Sequence, residues 1–253
     1  MMPEFMIAGL WGLLSGSGLL VGATIADAFS GRLTHRMIAA VMGFGGGVLI
    51  AVVATELIGG QVAAGLGPLA IFALLAGAAI FSGSNWYLAR RGAKHRKRCG
   101  ECQGQANERQ HQGSGAAIAL GSLFDGIPEA LVIGMSVAGG GKIGLAVVAG
   151  FFLANVPQGL SSTSGMKLAG RSRRYIYTVW IGIPLLICVA AGVGNFLLGP
   201  AETLAPAILS FAAGAVIAML AETMIPEAFE KAPPFIGLIT VMGFLAAYLI
   251  AQH

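Results

Sequence analysis

Four carboxylates, Glu56, Asp125, Glu129 and Glu222, sit inside long apolar runs that contain no Lys or Arg to neutralise them. An ionised carboxylate at mid-membrane is costly unless it is paired, solvated or bound to a cation, so these groups read as a cation path. Asp125 and Glu129 are four residues apart and project from one helical face, with oxygens able to converge on a single ion. Pro128 lies beside them and, having no N–H, releases the carbonyl of Phe124 from its helical bond. Pro157 does the same to Leu153, and Pro226 to Glu222. A hairpin of Asp125, Glu129, Asn155 and Gln158, closed by Glu222, would make an oxygen-rich site inside a bundle. Asp27 and Glu227 lie nearer the ends of their runs, where interfacial placement accounts for them.

The elements that hold such groups must themselves cross a bilayer. The 253 residues are 56% hydrophobic and 10% charged, with a mean hydropathy of +0.81, against about 25% charged in soluble domains. The 39 glycines show no G-X-Y period, so the composition points to a polytopic membrane protein, not to collagen or disorder. A span needs about 20 apolar residues. Runs of this kind fall near 5–26, 37–58, 66–89, 116–138, 143–167, 175–198, 204–228 and 234–251. The expected architecture is an all-α bundle of eight transmembrane helices forming a single domain over 1–253. The fifth run is the least regular, because NVPQGLSSTSG in its second half is too polar to face lipid. Glu4 stands where a signal peptide would carry Lys or Arg, so the first run is read as a retained span.

Net charge is +4, but the bases lie in short tracts between apolar runs and are not interleaved with aromatics, which argues against nucleic-acid binding. The odd-numbered loops hold all of the 15 Lys and Arg except Lys142. Cytoplasmic loops carry such an excess, so both termini are expected outside the cytoplasm, in a multi-pass protein of the inner (plasma) membrane. The one sizeable loop, residues 90–115, is basic and polar, and is expected in the cytoplasm between the third and fourth spans. Its Cys99 and Cys102, with His95 and His111, have the residue types of a soft-metal site, although a solvated basic loop explains them as well.

Internal repeats are visible. Residues 44–60 laid over 211–227 pair Phe44 with Phe211, Gly47 with Gly214, Ile50 with Ile217 and Ala51 with Ala218, and bring Glu56 within one position of Glu222. Residues 125–131 over 154–160 pair Pro128 with Pro157, Glu129 with Gln158 and Leu131 with Leu160. Spans two and seven therefore correspond, as do four and five, a construction common among transporters.

With these motifs in place, the chain resembles the ZIP (Zrt/Irt-like) family of divalent metal transporters. Those are eight-helix proteins with both termini outside and a basic cytoplasmic loop between spans three and four. Their fourth-span His-Asn-x-Pro-Glu-Gly is similar to Asp125-Gly126-Ile127-Pro128-Glu129-Ala130. Their fifth-span motif is similar to Ala154-Asn155-Val156-Pro157-Gln158-Gly159, and a seventh-span Glu before Ile-Pro-Glu is matched by Glu222 before Ile225-Pro226-Glu227. The resemblance implies a metal site of Asp125, Glu129, Asn155, Gln158 and Glu222, with Gly126 and Ala154 standing where relatives place ligands. Glu56, the repeat partner of Glu222, is expected on the pathway of ion entry or exit.

No imidazole remains in that set, and carboxylate and carbonyl sites suit harder ions such as Mn²⁺, Mg²⁺ or Fe²⁺ less discriminately, so zinc affinity is expected to drop. The implied activity is transport of a divalent ion (Zn, Mn, Fe, Co or Cd) by alternating access, the ion being cargo and not a prosthetic group. The alternative is a ZIP-like membrane protein that binds metal or protons to regulate a partner without transporting. An enzyme is not expected, since H-E-x-x-H and comparable hydrolytic motifs are missing and the four His lie in loops or at the terminus. The partners expected are a divalent ion and membrane lipid, with a homodimer left open.

Overall fold

An apolar helix ends where charged or turn residues reach water, and each run is bounded in this way. The computed structural model describes residues 2–29, 32–59, 67–93, 114–138, 145–200, 202–230 and 232–252. Among these residues there is no strand, and the chain forms eight helices. They are α1 (Glu4–Ala28), α2 (His35–Leu57), α3 (Pro68–Leu88), α4 (Ser114–Val137), α5 (Leu145–Leu168), α6 (Arg173–Leu198), α7 (Ala205–Glu230) and α8 (Ile236–Ala251). Each lies on one of the eight apolar runs. Thr34 and Ser172 cap α2 and α6, accepting from the N–H groups of Met37 and Tyr175.

Six of the eight are long and apolar enough to cross a membrane, which makes the chain an α-helical, multi-pass membrane protein by length and composition. The other two are α5, whose second half is the polar run noted above, and α8, with 16 residues. The basic loop expected over 90–115 is shorter at both ends, because a π-turn carries α3 on through Ala89–Ala93 and α4 begins at Ser114. His95, Cys99, Cys102 and His111, together with Lys142 and Lys231, lie outside the described residues.

Helix contacts fix relative direction. Gly9, Gly12 and Gly16 of α1 meet Cys188, Ile187 and Pro184 of α6 in turn, an antiparallel pair. Gly18 and Gly22 of α1 meet Phe152 and Val156 of α5, a parallel pair. Gly126 and Gly134 of α4 run parallel to Ile187 and Ala191 of α6, and Gly45 of α2 meets Pro157 while Val52 meets Gly150, antiparallel to α5. The direction therefore alternates along the chain, as a bundle threaded back and forth through a layer requires. Both termini lie at one end. The described Lys and Arg lie at the other, where Arg90 stacks on Trp86 and Arg91 on Tyr87, at 4.6 and 5.5 Å from the ring centres, as interfacial aromatics and bases do.

The repeat read from the sequence is also a repeat of backbone form. α2 and α7 each contain one π-turn, Val53–Leu57 and Leu220–Met224, and the register that sets Phe44 over Phe211 sets these two turns residue on residue. Packing follows the same register. A Cβ on Gly47 would overlap the Thr240 carbonyl of α8, and one on Gly214 would overlap the Leu74 carbonyl of α3. In return, Gly243 lies against the Phe44 carbonyl and Gly77 against that of Phe211. The α2–α8 and α7–α3 pairs are thus two copies of one close crossing, which only small residues allow. Gly47→Ala and Gly214→Ala should each destabilise by about 1–3 kcal/mol through overpacking. Thermal unfolding in detergent is the check, and midpoints equal to the wild type would contradict the close approach.

Candidate functional site

α4 and α5 carry the chemistry in the bundle interior. Pro128 and Pro157 sit within them without breaking either helix, so each proline removes one backbone hydrogen bond and leaves the rod intact. The Glu129 carboxylate is fully buried, and Asn155 Nδ2 of α5 donates to its Oε2 at 2.7 Å and to the Ser15 carbonyl of α1 at 3.3 Å. One turn before Glu129, Asp125 faces a small cavity between α1, α4, α5 and α6, whose walls include Ser122, Asn155, Gln158, Ser162 and Trp180. Asp125, Asn155 and Gln158 are each at most 3% exposed.

Four of the five residues expected to form the site, Asp125, Glu129, Asn155 and Gln158, are therefore brought together by α4 and α5. Glu222 is held elsewhere. It lies in the α7 π-turn, is exposed, and accepts hydrogen bonds from Ser82 Oγ and from Asn85 Nδ2 of α3, the latter at 2.6 Å. Its carboxylate is tied to the α3–α7 pair and does not line the Asp125 cavity. Glu56 is half-buried in the equivalent π-turn of α2, where Thr55 Oγ1 donates to its Oε1 at 3.2 Å. Of the two positions that stand where the ZIP motifs carry ligands, Gly126 has its open side against Ile187, and Ala154 is fully buried in the apolar core.

Two acidic groups assigned to span ends behave differently. Asp27 sits at the basic end as expected and joins three helices: Lys167 Nζ of α5 at 2.7 Å, Arg173 Nη2 of α6 at 2.5 Å and the Tyr177 hydroxyl at 3.2 Å. Gly170, with φ +75, closes the α5–α6 turn and lets the Arg171 N–H reach back to the Met166 carbonyl, which places Lys167 and Arg173 beside one another. Glu227, by contrast, is buried and accepts from Ser161 Oγ of α5 at 2.8 Å. At the end of the bundle away from the bases, Asn195 Nδ2 of α6 donates to the Gly134 carbonyl of α4 at 3.0 Å.

Trp180 and Ser122 were not singled out by sequence reasoning, and Glu227, read as interfacial, is buried against α5. A signal for Trp180 existed. It lies on the stripe Ile176, Trp180, Ile183, Ile187, Ala191, spaced by three or four residues, and away from the helix ends where membrane tryptophans usually cluster.

The cavity offers one carboxylate, Asp125, and the two amides of Asn155 and Gln158, and Asn155 also holds the Glu129 carboxylate one turn further along α4. Among the described residues no three of His, Cys, Asp and Glu gather around one point. No Lys or Arg occurs in the interior of any helix; the described ones lie in first or last turns or in the connections. If Asp125 and Glu129 hold an ion, Glu222→Gln should leave its binding near the wild-type level, since the Glu222 hydrogen bonds run to α3. Loss of binding as complete as for a change at Glu129 would show that Glu222 belongs to the same site.

No protein-family description matches the chain, and no curated protein shows significant similarity to it.

Proposed function

We propose that the chain carries divalent cations across the inner (plasma) membrane by alternating access, with both termini outside the cytoplasm, as the ZIP-like motifs imply. The observation that supports this most is the pair Asp125 and Glu129, buried at the centre of a bundle whose helix interiors contain no Lys or Arg. Two carboxylates in that setting are stabilised by a proton or by a cation, and a cation that reaches them satisfies both at once. Asn155 and Gln158 add amide oxygens as neutral ligands. A donor set of oxygens without imidazole or thiolate suits hard ions such as Mn²⁺ and Mg²⁺ and lowers the preference for Zn²⁺. The paired repeats support the mechanical side of the reading, because two half-structures of the same form can open toward opposite faces in turn.

Purified protein in sealed liposomes, offered a panel of divalent ions, tests this. Uptake of at least one ion, with the hard ions preferred, is expected. Binding without uptake would favour the reading in which the site regulates a partner, and neither binding nor uptake would remove both. Glu56 should affect rate and not affinity, since it is half-buried and outside the cavity. Glu56→Ala is expected to slow uptake while the ion's Kd stays within about threefold of the wild type, a shift of less than 1 kcal/mol. Loss of binding in that variant would make Glu56 a ligand.

A further inference from the structure

Trp180 is 1% exposed, Gln158 2% and Ser122 5%. Among the described residues, Trp180 Nε1, Gln158 Nε2 and Ser122 Oγ have no hydrogen-bond partner. All three residues line the cavity that Asp125 faces. An indole N–H is a donor and nothing else, and leaving such a group unsatisfied costs about 1–3 kcal/mol. A bare cation cannot answer it, because the positive end of the N–H dipole would point at the ion. An anion would meet the Asp125 carboxylate. A water molecule fits both, since it can accept from Trp180 and Gln158 while donating to Asp125 and Ser122. The cavity leaves about 10 Å³ open to a water-sized sphere, which is on the order of one water.

We propose that this cavity seats one water molecule bridging Trp180 and Asp125, and that this water stays on as a solvent ligand of a cation held by Asp125 and Glu129. The second half rests on the cation-carrying reading above. When the ion binds, the water gives up its bond from Gln158, meets the ion through that lone pair and keeps the Trp180 N–H on the other. Trp180 is then a positioning residue that acts on the ion through water. The site would take ions in partly hydrated form, which suits Mg²⁺ because it dehydrates reluctantly.

Hydroxyl-radical footprinting of the metal-free protein reads the water directly, since radicals formed from a bound water oxidise the side chain beside it. Trp180 should be oxidised at a rate near that of exposed Trp86 and well above that of Phe151, which is equally buried in the apolar core. With Mn²⁺ bound, electron–nuclear double resonance should show exchangeable water protons. Trp180→Phe should remove that signal and weaken Mn²⁺ binding about tenfold, as loss of an outer partner does. Ser122→Ala should act in the same direction and serves if Trp180→Phe does not fold. Trp180 as unreactive as Phe151, or wild-type Mn²⁺ affinity and proton signal in both variants, overturns the proposal. A wild type that shows the footprint but binds no Mn²⁺ removes the ligand half, and one that binds no other divalent ion either removes the cation reading with it, while the seated water stands.

Discussion

Glu129→Gln should abolish divalent-cation uptake. The substitution keeps the shape of the side chain, and the new amide oxygen can still accept from Asn155 Nδ2, which holds the native Oε2 at 2.7 Å. The α4–α5 contact therefore survives, and what is lost is the charge. Changes to outer partners of a metal ligand already cost about 10–100-fold in affinity, so removal of a fully buried charged ligand should exceed that range. Uptake into liposomes at matched protein content, with helicity and melting compared in parallel, is the measurement. A folded Glu129→Gln protein that transports at the wild-type rate would place the path elsewhere in the bundle.

Asp125→His should turn the site toward zinc. Imidazole binds Zn²⁺ at about 2.0–2.1 Å, while hard ions lose a carboxylate and gain little from a nitrogen. A rise of about tenfold in the zinc-to-manganese ratio, or 1.4 kcal/mol, is expected in competition binding. A parallel exchange at Ala154, where the ZIP motif also carries a ligand, is a poorer choice. That side chain is fully buried in the apolar core, and an imidazole there would overpack it. An unchanged ratio in folded Asp125→His would mean that this position does not meet the ion.

The helices could be read from the sequence because each apolar run is closed by residues that belong in water, such as Arg32 and Arg36, Arg90 and Arg91, or Arg171 to Arg174. The α4–α5 half of the site was legible for a similar reason, since spacing along one helix fixes which residues share a face. What lay beyond local spacing was less so. Whether Glu222 turns inward or toward Ser82 and Asn85 depends on the π-turn, which shifts the face by an extra residue, and neither Gly-rich α2 nor Pro226 announces its place. Glu227 was assigned to an interface because it is near a span end, but Ser161 of α5 reaches it there. Trp180 could be placed on the buried stripe of α6 but not against Asp125, since which helices face one another is a tertiary fact.

The two ends of the bundle are tied by bonds of different kinds. In the register that relates the repeats, Asp27 falls one position from Asn195. Asp27 ties α1 to α5 and α6 through Lys167 and Arg173, and Asn195 ties α6 to α4 through one neutral bond to Gly134. The first tie is ionic and partly open to solvent, with Arg173 76% exposed, so dissolved salt weakens it. The second contains no charge for salt to screen. The ionic strength of the solution on the basic side therefore loosens one tie and leaves the other as it was, and the pseudo-symmetric halves are unequal in a way that the bathing medium can adjust.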